Sequence, residues 1–388
     1  MDKNIGMLLQ LIKIPGESTR EDAICAVLRE QFLKLGVPRR CIRNDETYKQ
    51  SEYGGKVGNL IVSLEGHGRG ERRMLSTHMD TVPGAVGSRP ALKGRRIVNR
   101  AAGKALGGDA RCGCACLLAA ARALLERRGN HPPRTVVFFV QEELGLVGSR
   151  GLDTRLLGRR RPAMCFNFDG GDAREVSPAV IGTERLHVTI HGVACHTSRP
   201  QKGISAAVIE AEALADLQAN GWVGAVDKSQ GRATSNLGIL RGGTGSNVLM
   251  PELYALAEAR SFGRAFRSRV ISAWKDAFRK AVKRANARAA EAEGKASVDF
   301  KPGPIYDPYR LPENAPVVRA AVAAIRKLGM EPHLFDHWGG MDCNNVVSKG
   351  IPAVGLGMGD NKAHSVEEWV NVPEFLKACE LAVELATG

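Results

Sequence analysis

No apolar run in this 388-residue chain approaches the ~20 residues that a membrane-spanning helix needs, so no membrane partner is expected. The amino-terminal residues lack the charged-then-apolar layout of a secretory signal, and Met7-Leu8-Leu9-Gln10-Leu11-Ile12 reads as a first helix instead. A disulfide framework is also missing. The nine cysteines are odd in number and scattered, at Cys25, Cys41, Cys112, Cys114, Cys116, Cys165, Cys195, Cys343 and Cys379. These absences favour a reducing compartment, and a cytoplasmic location is expected. No aromatic-basic platform of the kind that holds single-stranded nucleic acid is present. Acidic residues are in deficit, 41 against 55 Lys and Arg, giving a formal charge of +14. The excess is mostly dispersed arginine, with short runs at Arg159-Arg160-Arg161 and along Arg264 to Arg288. It reads as a solvated surface, not a nucleic-acid face, although it also favours acidic ligands.

What is present is an ordinary globular composition, 44% apolar and 25% charged, on a chain long enough for two domains. Apolar spacing predicts helices over 4–14 and 19–36, the second with a capped start in Glu17-Ser18-Thr19-Arg20-Glu21. Strands are predicted at 59–64, 73–77, 134–140 and 163–169, with a small-residue helix from about Cys112 to Arg127. Strands alternating with helices indicate an α/β class and a mostly parallel sheet. The pattern then changes to β-α-β-β-α-β, which fits an inserted ferredoxin-like α+β unit. Helix-strand alternation resumes after it. The expected domains are 1–183 and 301–388 for the first unit and 184–300 for the insert, with the Pro-rich 302–316 as a return linker.

Five polar clusters fall at predicted strand ends or in the loops that follow: His78 with Asp80, Asp109, Glu142 with Glu143, Asp169, and His364. On a strand, residues two apart point the same way, so His78 and Asp80 address one site at a carboxyl end, where ligands of open α/β sheets sit. Two imidazoles and three carboxylates can hold two borderline divalent cations with one carboxylate between them. The adjacent Glu142 and Glu143 repel unless a cation sits nearby, and one of such a pair can take a proton from an activated water. Asp109, Glu143 and Asp169 also suit helix caps or turns. Arg260 also suits a pair with Glu258. Cys112-Gly113-Cys114-Ala115-Cys116 fits buried packing better than metal binding, because on a helix its sulfurs spread about the axis.

The motifs are Ser76-Thr77-His78-Met79-Asp80-Thr81-Val82, Leu106-Gly107-Gly108-Asp109-Ala110-Arg111-Cys112-Gly113 and Glu142-Glu143-Leu144-Gly145-Leu146-Val147-Gly148-Ser149. They are followed by Asn167-Phe168-Asp169-Gly170-Gly171, Gly339-Gly340-Met341-Asp342 and Ala363-His364-Ser365-Val366-Glu367-Glu368. In this order and spacing the chain resembles the two-metal peptidases and amidohydrolases that include peptidase T, glutamate carboxypeptidase G, aminoacylase and succinyl-diaminopimelate desuccinylase. The resemblance is nearest to peptidase T-like members.

The resemblance implies a zinc-peptidase catalytic domain interrupted by a lid that also dimerises the protein. His78 and Asp169 would hold one zinc, Glu143 and His364 the other, and Asp109 would bridge them; cobalt or manganese fits the same donors. Asp80 would steady His78, and Glu142 would be the general base. In the lid, His196 would reach the partner's active site, with Asn247 and Arg260 contacting substrate and Gly340 contributing from the catalytic domain. The implied activity is hydrolysis of small peptides by a peptidase T-like aminopeptidase or tripeptidase. The alternatives are a carboxypeptidase or a deacylase of N-acyl amino acids, and more remotely a non-catalytic basic binding protein. Two departures stand out. Many relatives carry Asp-Asp-Lys where this chain has Asp109-Ala110-Arg111, and peptidase T has an Arg where Trp338 stands, which bears on tripeptide specificity.

Overall fold

The computed structural model describes residues 2–127 and 129–388. They form two compact units, one of 1–180 with 310–388, the other of 181–309. The sheet of the first unit runs in the order Ile42–Asn44, Leu60–Leu64, Arg134–Phe139, Arg73–His78, Met164–Phe168, Ala353–Leu356, Glu175–Val180. Its centre is parallel, as the βα alternation predicts, but Leu60–Leu64 and Glu175–Val180 join antiparallel, so the sheet is mixed. Arg134–Phe139 and Met164–Phe168 are buried at every position, as continuous apolar runs covered on both faces must be. Helices Lys3–Ile12, Gly108–Glu126 and Val372–Thr387 pack on one another. Cys112, Cys114 and Cys116 are fully buried there and all nine cysteines are free, in line with the packing reading.

Two local expectations need correction. The second helix begins at Asp22, and no side chain caps it. Ser18 donates instead to Asp80 (2.7 Å), and Glu21 Oε1 accepts from the amides of Thr19 and Gln141 (3.0 Å each). The residues that looked like a cap are held by long-range partners. The stretch 302–316 is not simply a linker either. Strand Ser297–Tyr306 pairs with Gly182–His191 past Pro302, with a register shift after it, which extends the inserted unit to 309. A proline can enter here because this is an edge strand.

The inserted unit has the ferredoxin-like element order with one addition, the short strand Gly224–Lys228 at the sheet edge opposite Ser297–Tyr306. Its core gathers Trp274, Phe278, Ile209 and Val188 between the sheet and helices Ala206–Ala219 and Arg264–Arg288. Glu210 is a misfit in that core: 3% exposed, with neither carboxylate oxygen hydrogen-bonded. Burial raises its pKa to about 7. The folded state therefore holds a proton that the unfolded chain releases near 4.5, and the stability tied to it is present below 4.5 and lost as pH rises through 7. Glu210→Gln is expected to gain on the wild type by on the order of 1–3 kcal/mol between pH 5 and pH 8. Denaturant melts at both pH values check this; a constant difference between the two proteins would refute it.

Candidate metal centre

Strands Arg73–His78, Arg134–Phe139 and Met164–Phe168 lie side by side, and their carboxyl ends lead into His78, the 141–143 turn and Asp169. Asp109 sits in the first turn of Gly108–Glu126, where its backbone is non-helical. His364 comes from a turn between Asp360–Asn361 and Trp369–Asn371, two strands of a small antiparallel sheet with Arg96–Asn99 and Pro90–Lys93.

His78 Nε2 is 2.9 Å from Asp109 Oδ1 and 3.6 Å from Asp169 Oδ1. His364 Nε2 is 3.2 Å from Asp109 Oδ2 and 2.8 Å from Glu143 Oε1. The two oxygens of Asp109 therefore face different imidazoles. Two triads of donor atoms result, His78–Asp109–Asp169 and Asp109–Glu143–His364, each with its atoms within 4.8 Å of one another. A third grouping, His78–Glu142–Glu143, sets Glu142 beside them. These are the five residues and the neighbouring Glu142 singled out in the sequence, brought together from five segments.

The electrostatics show what the cluster lacks. Burial pulls His78 down, but its hydrogen bonds to Asp109, Asp169 and Asp80 outweigh this and raise its pKa well above 6.5. The close carboxylates of Asp109 and Glu143 lift His364 to about 10. Burial raises Asp109, yet the two imidazoles hold it below the usual range. Burial also pushes Glu142 well up, and the charges of Asp169, Asp342 and Glu143 add to it against that of His78. Positive charge is in short supply here. Glu143 Oε1 is buried and has no aligned hydrogen bond, although His364 Nε2 is close. Two imidazoles and three carboxylates whose donor atoms crowd in triads within 4.8 Å, one of them the unbonded Glu143 Oε1, fit shared divalent cations, so the residue set suits metal.

Further partners hold these side chains. Asp80, fully buried, takes Ser18 Oγ and the amides of Glu142 (3.1 Å) and Glu143 (3.3 Å), with Oδ1 3.3 Å from His78 Nδ1. Gln141 adopts a left-handed φ of 51° and is fastened by Ser51, Gly54 and Glu21, which fixes the turn carrying both glutamates. Ser76 donates to Asn167, which donates to Asp169 Oδ2. Glu368 accepts from the amides of Gly107, Gly108 and Asp109 at 2.8, 2.6 and 3.2 Å, clamping the loop that presents Asp109. Sequence reasoning gave no role to Glu368 and read Glu21 and Ser18 only as part of a helix cap. The only signal for Glu368 was its place in the His364 motif.

The cluster opens into a cavity of about 590 Å³ whose wall includes Gly340, Glu175, Glu374 and His337. The other three expected contacts belong to the inserted unit. His196 is exposed, with Nδ1 2.8 Å from Ser198 Oγ, and Asn247 is exposed. Arg260 is committed to Glu258 (2.6 Å), the alternative open from the sequence.

Residues 74–388 match the model of peptidase family M20/M25/M40. The chain belongs to this family. Among solved structures, the PepT aminopeptidase of Bacillus cereus ATCC 10987 is 29% identical with a TM-score of 0.83, covering 99% of this chain and 97% of its own. A tripeptidase from Staphylococcus aureus Mu50 is 27% identical with a TM-score of 0.84 and the same coverage. The uncharacterised protein YqjE of Bacillus subtilis strain 168 is 29% identical over 97% of this chain and 95% of its own length. This M20 member is a peptidase T-like metallopeptidase, and its family is metal-dependent. Among the described residues no helix is long and apolar enough to cross a membrane. In this peptidase Glu368→Gln removes one acceptor oxygen and the charge from the Asp109 clamp. It is expected to weaken divalent-cation affinity by about 10–100-fold with the fold intact. Calorimetric metal titration checks this, and an unchanged affinity would show that the loop holds its shape unaided.

Proposed function

We propose that this peptidase is a cytoplasmic aminopeptidase that binds two zinc ions and releases the first residue of small peptides, tripeptides foremost. It would work as a homodimer joined through the inserted unit, which serves as lid. The observation that carries the reading is Asp109, whose two oxygens face two separate imidazole-carboxylate sets. His78 and Asp169 would hold one cation and Glu143 and His364 the other, with Asp109 common to both. Mixed imidazole and carboxylate donors suit zinc, and cobalt or manganese fits the same set. The chemistry the cations supply when bound is polarisation of the scissile carbonyl and acidification of a water molecule. Glu142, on the cavity wall, accepts the proton of the attacking water and returns it to the leaving amine. Asp80 keeps His78 and both glutamate amides in place. His196, Asn247 and Arg260 would complete substrate binding from the lid, Arg260 after exchanging Glu258 for a substrate group.

The cavity wall favours the aminopeptidase over a carboxypeptidase. Away from the metal donors it carries Asp172, Glu175 and Glu374, and Asp172 is taken by Arg174. Among the described lining residues the one Lys or Arg is Lys362, itself paired with Glu367. A free α-ammonium finds carboxylates on this wall, whereas a terminal carboxylate finds no guanidinium on it, Arg260 belonging to the inserted unit. The test is a panel of free tripeptides, N-acetyl amino acids and peptides ending in glutamate, given to zinc-loaded protein with a chelator control. Chelator-sensitive release of the first residue from free tripeptides is expected. Cleavage confined to the blocked substrates would move the protein to the deacylase or carboxypeptidase branch.

A further inference from the structure

Far along the sheet from the metal centre, a second cavity of about 350 Å³ is ringed by arginine. Arg40 and Arg43 come from the edge-strand approach, and Arg155 and Arg159 from the turn after Leu152; Ile61 and Leu156 line it between them. Ser63 on its wall pairs in register with Thr135, near the amino end of Arg134–Phe139. The metal-site glutamates follow the carboxyl end of that strand, which is about 13 Å further on.

The charges of three of these four arginines are not balanced from within. Arg155 is bidentate to Asp153. Arg40, Arg43 and Arg159 have no carboxylate partner among the described residues. Glu65 is the one acid on the wall, and it is occupied. It takes Ser63 Oγ (2.9 Å), the buried Arg72 guanidinium (2.5 Å) and the Arg159 amide. Arg43 is partly preorganised, because its Nε donates to the Arg40 carbonyl (3.1 Å) and its two terminal nitrogens stay available. Like charges gathered round a concave, partly apolar floor repel one another, and an anion placed between them relieves this. Guanidinium forks match phosphate oxygens two at a time.

We propose that this cavity binds a small anion bearing two or more phosphate charges, as a free polyphosphate or as the phosphate end of a nucleotide. The phosphates lie among Arg40, Arg43 and Arg159, and any organic body rests on Ile61 and Leu156. The run Arg159-Arg160-Arg161, read from the sequence as a solvated surface, would then contribute to a site. The inference does not depend on the reading of the metal centre.

The test is calorimetric titration of the whole metal-loaded chain with pyrophosphate and with ADP at 0.1 M ionic strength. Comparison is with Arg43→Glu/Arg159→Glu and with Arg269→Glu/Lys280→Glu, which makes the same charge change on the exposed face of Arg264–Arg288. Saturable one-site binding is expected, weakened at least about tenfold by the first pair and unchanged by the second. Equal affinity for both ligands would mean the site reads phosphate alone; tighter ADP would assign a share to the Ile61–Leu156 floor. Peptide hydrolysis without anion should match wild type in both variants. No binding at millimolar ligand, or equal weakening by both variants, would overturn the proposal.

Discussion

Glu142→Gln is expected to lower kcat by about 10²–10⁴-fold while the bound divalent cations and the melting temperature stay as in the wild type. The reason lies in where the side chain stands. Glu142 lines the cavity and its amide is pinned to Asp80 Oδ1, so its carboxylate is held beside the donor triads without belonging to either of the two that share Asp109. The amide keeps the shape and loses only the ability to accept a proton. Metal analysis and turnover of the same preparation separate the two effects. A wild-type rate in the variant would remove Glu142 from proton transfer, and a loss of cations would make it a ligand.

Asp109→Ala is expected to cost more. The substitution leaves His78 with Asp169 and Glu143 with His364, two donors on each side where three had stood. Cation content should fall below one equivalent per chain, and turnover by on the order of 10³-fold or more. Asp109→Asn keeps one oxygen, so retention of one equivalent with similar loss of turnover would support the bridging role. A variant that keeps two cations and most of its rate would contradict it.

Much of this centre was legible because its chemistry is carried by local signals. His78 ends an apolar strand and Glu142 and Asp169 follow one, and such strand ends meet when the strands are parallel neighbours, as they are here. Asp109 could be read from its glycine-rich loop. What was not legible depends on partners remote in sequence. Ser18 and Glu21 look like a helix cap, yet Asp80 and Gln141 claim them across more than 60 residues of chain. Glu368 clamps a loop about 260 positions earlier, and no periodicity reports such a pairing. The small sheet that carries His364 has strands of two to four residues, too short for an alternation to show. Pro302 suggested a linker, because its tolerance on an edge strand depends on a sheet order invisible in the sequence.

The measurement that bears most directly on this account is a zinc titration of chelator-stripped protein, following release of the first residue from a free tripeptide and from its N-acetylated form. No turnover is expected without metal, full activity on binding two equivalents per chain, and little or no cleavage of the acetylated peptide. Full activity in the stripped protein, saturation at one equivalent, or equal cleavage of the two peptides would contradict it.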